Sequence, residues 1–420
     1  MFKVNTNKIM TNIAKYFLNF KLSIFEKIYI FLLLSFILIS YFISIPTDST
    51  PLGIGSEILG IGDREFYINE TNKGYGYKDY SGNFLYPYAL KFITSLSNLF
   101  GQDQYSKLWN SIAIFITSFF SIVSLRLLKK SSIFLFNENV SEIACFLFII
   151  NPYSYFYALS GGITNYLFLG STSILFLFCR AYRNGYKISE SKYILETLIL
   201  IFICTYLSLL RPTGALYSYV VLLYLLYGNL KNFFYNKQSG VINFLNFLLI
   251  TLGIIFVSYN FFSVVSYLKT NIKLFMSEDG YFFGYSRELL RQRLSLDGVN
   301  IFENLKLSFY TILWKLTEFV SGLSDIRDTH SAPTIKNIFP FLIRTFTGIF
   351  ILFPLNIFSF FGLIFNRRFI LKSDIWIVIL SSLLAISPSL LGVAMSRYLI
   401  MFYSIFIIFS AKMISDLNFR

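Results

Sequence analysis

The chain has 420 residues, 55% of them hydrophobic and 20% aromatic, with only 14% charged and a mean hydropathy of +0.61. Apolar runs this long and this frequent exclude an ordinary water-soluble globular domain and read as transmembrane helices. The formal net charge of +14 would suggest nucleic acid in a soluble protein, but the basic residues sit in short loops between apolar runs, which the positive-inside rule explains with no nucleic-acid partner.

Residues 1–26 are polar and basic, with Lys3, Lys8, Lys15 and Lys21, and read as a cytoplasmic tail. The apolar run 27–45 is long for a signal-peptide core, and no small-x-small cleavage site closes it, so it reads as an uncleaved first span. A span needs ~20 apolar residues. The further candidates are 108–127, 140–159, 163–180, 193–210, 213–228, 242–267, 339–365, 375–394 and 397–414, about ten spans in all. The basic tail and the clusters Arg126-Lys129-Lys130, Arg180-Arg183-Lys187-Lys192, Lys231-Lys237 and Arg367-Arg368-Lys372 all fall on the cytoplasmic side of such an up-and-down path, together with both termini. Segments 46–107 and 268–338 then become outer loops.

Each outer loop contains an amphipathic stretch. In 85–100, Leu85, Ala89, Phe92, Ile93 and Leu96 form one helical face. In 301–323, Leu305, Phe309, Ile312, Leu316, Phe319 and Leu323 recur with helical period, while Glu303, Lys306, Lys315 and Glu318 interrupt the run, so it reads as a helix in the membrane plane. The expected fold is all-α: one polytopic membrane domain over 1–420, with about ten transmembrane helices and two structured outer loops. No soluble domain is expected at either end. The expected location is a bacterial inner membrane, or the endoplasmic reticulum membrane in a eukaryote. Cys145, Cys179 and Cys204 fall in apolar stretches without metal-ligand spacing and read as buried packing residues.

The middles of the spans are nearly free of ionisable residues, which a proton-coupled transporter would be expected to carry there. Charges gather at span ends and in the outer loops, which points to a site at the outer membrane surface. The first outer loop opens with "GDREFYINETNKGY", Gly62 to Tyr75, and continues into "FLYPYAL", Phe84 to Leu90.

This spacing resembles the first outer loop of membrane glycosyltransferases of the GT-C class, and is most similar to the GPI mannosyltransferase II type and its bacterial relatives. Asp63, Tyr67, Gly74, Tyr75 and Pro87 fall on that family's pattern; Gly62 stands where Trp is usual, and Asn69-Glu70-Thr71 and Tyr86-Pro87-Tyr88 also depart from it. Three further stretches resemble the family in the same order: "NPYSYFYALSGGITNYLFL" (Asn151 to Leu169), "LLRPTG" (Leu209 to Gly214) and "SRYLIMFYSIF" (Ser396 to Phe406).

The resemblance implies a polyprenyl-phosphate-linked sugar donor and a glycan, lipid or protein acceptor at the outer face. Such an inverting transfer needs a carboxylate that takes the acceptor's proton, and cations that hold the departing phosphate. It needs no strong acid, because phosphate leaves readily as an anion. Asp63 is the expected base with Glu65 behind it and Asp48 and Glu57 as weaker candidates; Asp63 otherwise reads as a helix cap or a partner of Arg64. Arg211 and Arg397, at outer span ends, either meet the lipid phosphate or snorkel to the interface. Arg287, one turn from Arg291, and the lone histidine, His330, are phosphate candidates or solvated loop residues. Arg344 faces the phosphate groove or snorkels outward. Tyr67, Tyr75 and Tyr86 are candidate sugar or acceptor contacts, with aromatic-belt placement as the plainer explanation. No cofactor or metal ligand set is predicted: there is no Gly-rich nucleotide loop and no HExxH, and the loop acids would serve a divalent ion as readily as a base. Rival readings are a polysaccharide polymerase or ligase, which would rely more on loop arginines, and a lipid-linked oligosaccharide flippase, which would show two similar halves.

Overall fold

A computed structural model describes residues 22–42, 85–102, 106–159, 161–190, 194–235, 240–259, 346–391 and 399–418, with short helical pieces between 264 and 269 and between 302 and 313. Among the described residues the fold is helical, without strands. The helices are α1 (Ile24–Phe42), α2 (Leu85–Leu99), α3 (Lys107–Leu135), α4 (Glu138–Ile150), α5 (Pro152–Leu159), α6 (Ile163–Arg183) and α7 (Ile194–Leu210). They continue with α8 (Pro212–Tyr235), α9 (Gly240–Ser258), α10 (Phe353–Phe365), α11 (Arg367–Lys372), α12 (Ile375–Leu391) and α13 (Ile400–Asn418).

Local chemistry sets several of the helix starts. Ser23 and Glu26 form a reciprocal cap at α1: the Ser23 N–H donates to Glu26 Oε2 (2.7 Å) and the Glu26 N–H to Ser23 Oγ (3.3 Å). Ser106 and Asn137 cap α3 and α4 by accepting from the backbone N–H groups of Trp109 (3.2 Å) and Val140 (3.0 Å). Pro212 opens α8, where the N–H it lacks would have no helical partner. Ahead of α10, Thr347–Leu352 is wound as a π-helix, and Pro354 stands in α10's first turn.

Helices occupy each stretch read as a span. Four of them, Leu108–Leu135, Ile163–Arg183, Pro212–Phe234 and Ile400–Leu417, are long and apolar enough to cross a membrane by length and composition. By that measure four of the ten predicted spans are met among the described residues. The 17 residues of α7 show why others fall short: at ~1.5 Å per residue they reach about 25 Å against a ~30 Å hydrocarbon core.

The predicted span 140–159 needs correction. It is two helices, α4 and α5, broken at Asn151, which is extended (φ −82°, ψ 112°). Pro152 supplies no N–H to continue the ladder. The predicted face of 85–100 is met in part, with Ile93 buried and Leu85 and Ala89 packed against the core. Tyr86, Pro87, Leu90 and Ser97 also point inward, and Phe92 is exposed. Where the surroundings of a helix are themselves apolar, an exposed phenylalanine is at home, and apolarity stops marking the inner face. Most of 301–323 lies outside the described residues.

α6 is the hub. It packs on α3, α7, α12 and α13, and 78% of its apolar window is buried against 39% for α3. Small polar residues carry many of the crossings, as expected where helices associate without water to drive them together. Thr172 and Ser404 join α6 to α13 (2.6 Å), Ser410 Oγ donates to Leu355 O (2.6 Å), and Ser218 Oγ donates to Cys204 O (2.8 Å). The three cysteines are buried and unbridged, as the sequence suggests.

Among the described residues, one end of the bundle gathers parts of several basic clusters. Phe369 of α11 packs against Phe136 (5.1 Å) and Tyr182 (5.2 Å), which joins the ends of α3, α6 and α11. Lys187 meets Asp374 at 3.7 Å. Asp374 is buried and left-handed (φ 59°), a conformation aspartate tolerates better than most residues. Between α6 and α7, the Tyr186 hydroxyl donates to the Glu196 carboxylate, with oxygens at 2.6 and 2.8 Å. Burial, and then that carboxylate, push the Tyr186 hydroxyl well above the ordinary tyrosine range.

Candidate functional site

The opposite end of the bundle collects the described parts of the sequence motifs. α2 is docked there by its first turn: the Tyr86 hydroxyl donates to the Gly161 carbonyl (2.8 Å), and the Tyr86 ring meets Tyr166 edge-on at 5.4 Å. Farther along α2, Thr94 Oγ1 accepts from Trp109 Nε1 (3.0 Å), and the indole is fully buried. Ser97 Oγ donates to Gln102 O (2.9 Å) and closes the connection toward α3.

Gly161 lies between α5 and α6 in a left-handed conformation (φ 63°) that a side chain would strain. A helix break inside an apolar bundle frees backbone groups that must find partners. Here Thr117 and Ser118 on α3 turn their hydroxyls to the Ala158 carbonyl, and Asn165 Nδ2 donates to Thr117 O (2.9 Å). At the upstream break, Ser154 Oγ donates to Phe148 O (2.7 Å). The Ser154 carbonyl in turn accepts from the Tyr29 hydroxyl (3.0 Å), which lies 2.6 Å from Ser121 Oγ.

The α7–α8 turn belongs to the same end. Tyr206 donates its hydroxyl to Tyr166 O (3.1 Å), so the last turn of α7 lies beside the first turn of α6. Arg211 follows, half-buried, with its N–H on Leu207 O (3.4 Å) and its carbonyl accepting from Ala215 (3.1 Å). Gly214 makes the turn this tight. A Cβ there would strike the Leu207 carbonyl, which is a packing reason for the glycine in "RPTG". α13 starts at this end too: Tyr403 touches Phe148 (6.4 Å) and Phe168 (5.8 Å), four residues' span from the helix start at Ile400. The Tyr403 side chain is buried.

Of the predicted site residues, Tyr86 and Arg211 are described and share this end. Asp63, Glu65, Tyr67, Tyr75, Arg287, His330 and Arg397 lie outside the described residues, as do Asp48, Glu57 and Arg344. Tyr86, expected as a sugar or acceptor contact, has a packing role in this structure. Its ring is buried and its hydroxyl is committed to Gly161, so it is a strut that fixes α2 to the helix break. Asn165, Thr117 and Trp109 carry the geometry of this end and were not singled out from the sequence. An asparagine at the start of an apolar run, close behind Gly161-Gly162, was the available signal for Asn165.

Chemically, the described part of this end offers neutral donors and acceptors together with cations that include Arg211 and, on α2, Lys91. Such a set can orient hydroxyl groups and help hold an anion. Proton abstraction would require a carboxylate from outside the described residues. Among the described residues, no group of three or more His, Cys, Asp or Glu side chains is placed to hold a metal ion.

No protein-family model matches the chain. No curated protein matches it either. Two solved structures from Archaeoglobus fulgidus are similar. One is an oligosaccharyltransferase in the apo form, at 13% identity and a TM-score of 0.42, matched over 93% of this chain and 50% of that one. The other is the oligosaccharyltransferase AglB in complex with an inhibitory peptide and a dolichol-phosphate, at 14% identity and a TM-score of 0.44, over 94% of this chain and 51% of that one. Both likenesses are loose, and the chain spans about half the length of the proteins it matches.

Proposed function

We propose that the chain is a multi-span membrane glycosyltransferase of the GT-C kind. It moves a sugar from a polyprenyl-phosphate donor to a glycan, lipid or protein acceptor at the outer membrane face, with inversion at the anomeric carbon. The observation that carries this reading is a convergence. The stretches that resemble the family are far apart in sequence, and their described parts meet at one end of the bundle. There the start of α2 sits on the α5–α6 break through Tyr86 and Gly161, and the Arg211 turn lies alongside through Tyr206 and Tyr166.

Asp63 is the proposed base, with Glu65 as its alternate. It takes the acceptor hydroxyl's proton as that oxygen bonds to the anomeric carbon. The bond from anomeric carbon to phosphate oxygen breaks, and the electron pair leaves with the phosphate. Arg211 and Arg397, with Arg287 or His330, neutralise the charge that grows there. Tyr67 and Tyr75 are proposed sugar or acceptor contacts.

The test is transfer of radiolabelled sugar from polyprenyl-phosphate donors in membranes, wild type beside Asp63→Asn at equal expression. General-base catalysis contributes at least ~100-fold, so the variant should lose at least that much. Transfer within tenfold of wild type would remove Asp63 as the base. No transfer from any such donor would remove the reaction class.

A further inference from the structure

The basic end of the bundle carries a charged surface that sugar transfer does not use. Its centre is α11 (Arg367–Lys372), held between Asn366 and Ser373. The two faces of this short helix differ. Ile370 is buried, and Phe369 is fixed between Phe136 and Tyr182. Arg367, Arg368 and Lys372 are exposed, and Leu371 among them is 65% exposed. Phe365, just before the helix, is 69% exposed. Arg183 is exposed next to Tyr182, beside the same ring stack.

No carboxylate among the described residues neutralises Arg367, Arg368 or Lys372 in an ion pair. The nearby Asp374 is buried and faces Lys187. The surface therefore presents three unmatched cations interleaved with two large apolar side chains. Bulk water suits the cations and not Leu371 or Phe365. Hydrocarbon suits the apolar pair and not the cations. The boundary layer of an anionic leaflet suits both: phosphates meet the cations, and Leu371 and Phe365 enter the acyl boundary.

We propose that α11, with Phe365, is a docking surface for anionic phospholipid headgroups that pins the basic end of the bundle to its leaflet. The guanidinium groups of Arg367 and Arg368 meet a headgroup phosphate through paired N–H donors, and Lys372 adds a point charge. This inference rests on the membrane reading of the chain and is independent of the glycosyl-transfer reading.

The test is native mass spectrometry of the full-length protein in a neutral detergent, titrated with phosphatidylglycerol or phosphatidylcholine. Each basic residue near an anionic surface is worth roughly fivefold in affinity. The wild type should prefer phosphatidylglycerol by at least about tenfold. The Arg367→Gln/Arg368→Gln/Lys372→Gln variant should lose that preference, and Arg368→Gln alone should lose part of it. Lys231→Gln, near the end of α8, should keep it. Leu371→Ser should weaken phosphatidylglycerol binding, which a bare anion site would not show. Equal binding of the two lipids by the wild type, a preference that survives the triple change, or displacement of phosphatidylglycerol by equimolar inorganic phosphate would each overturn the proposal.

Discussion

The two ends of the bundle solve the same problem, closing a set of helices, with different chemistry. At the basic end the connections described are short, and two buried acids have charged or phenolic partners: Asp374 with Lys187, and Glu196 with Tyr186. Aromatic rings then clamp α11 to α3 and α6. At the other end helices break rather than turn. Neutral side chains such as Asn165, Thr117, Ser154 and Tyr86 satisfy the carbonyls that the breaks release. The difference shows where each kind of polar group is affordable. A charge belongs where headgroups and water reach it, whereas a break inside an apolar bundle is best closed by uncharged donors.

The contrast can be broken by substitution. The largest stability effect is expected at the α7–α8 turn. Gly214→Leu forces a side chain into the Leu207 carbonyl and should cost about 3 kcal/mol, the upper end of overpacking; thermal unfolding in detergent measures it. A loss below about 0.5 kcal/mol would mean that the turn yields where Gly214 meets the Leu207 carbonyl. Next comes Tyr186→Phe, which takes the phenolic donor from the buried Glu196 carboxylate and should cost about 2 kcal/mol. Adding Glu196→Gln should restore part of the loss, which a purely steric role for the ring would not.

Asn165→Leu sharpens the comparison. It removes the donor to Thr117 O but leaves that carbonyl in a helix, and neutral bonds between membrane helices are worth about 1 kcal/mol or less. If it costs more than Tyr186→Phe, the neutral end is the better fastened one and the comparison inverts. The smallest effect is expected for Lys187→Gln. That pair spans 3.7 Å with an ammonium side chain 53% exposed, and such pairs are worth up to about 1 kcal/mol. Raising the salt concentration should shrink the difference between wild type and variant.

Much of this molecule was legible in the sequence, because apolar run length and the placement of lysine and arginine report directly on helices and on the basic end. Among the described residues, helices occur at each stretch read as a span, and Phe136, Tyr182, Lys187 and α11 collect at one end. The break inside 140–159 was visible as Asn151-Pro152, yet hydropathy ran through it, because a missing N–H leaves no mark on an apolarity scale. The apolar face read for α2 packs inward in part, with Ile93 buried and Leu85 and Ala89 against the core, but Phe92 points away. In an apolar setting Phe92 faces outward without cost, and hydrogen bonds from Tyr86 and to Thr94 fix the orientation instead. The candidate site was legible as motifs. Its supporting partners, Gly161 under Tyr86 and Thr117 under Asn165, were not, since they pair residues 75 and 48 positions apart.

The most direct test of the central claim, that the proposed sugar transfer belongs to the Tyr86–Arg211 end and not to the basic end, is sugar transfer measured beside thermal stability for two variants. Asp63→Asn should lose at least ~100-fold in transfer from a polyprenyl-phosphate donor with the wild-type melting temperature. Tyr186→Phe should lower the melting temperature and leave transfer by the folded protein within about twofold. Transfer lost to the same extent in both variants, or retained in Asp63→Asn, would contradict the account.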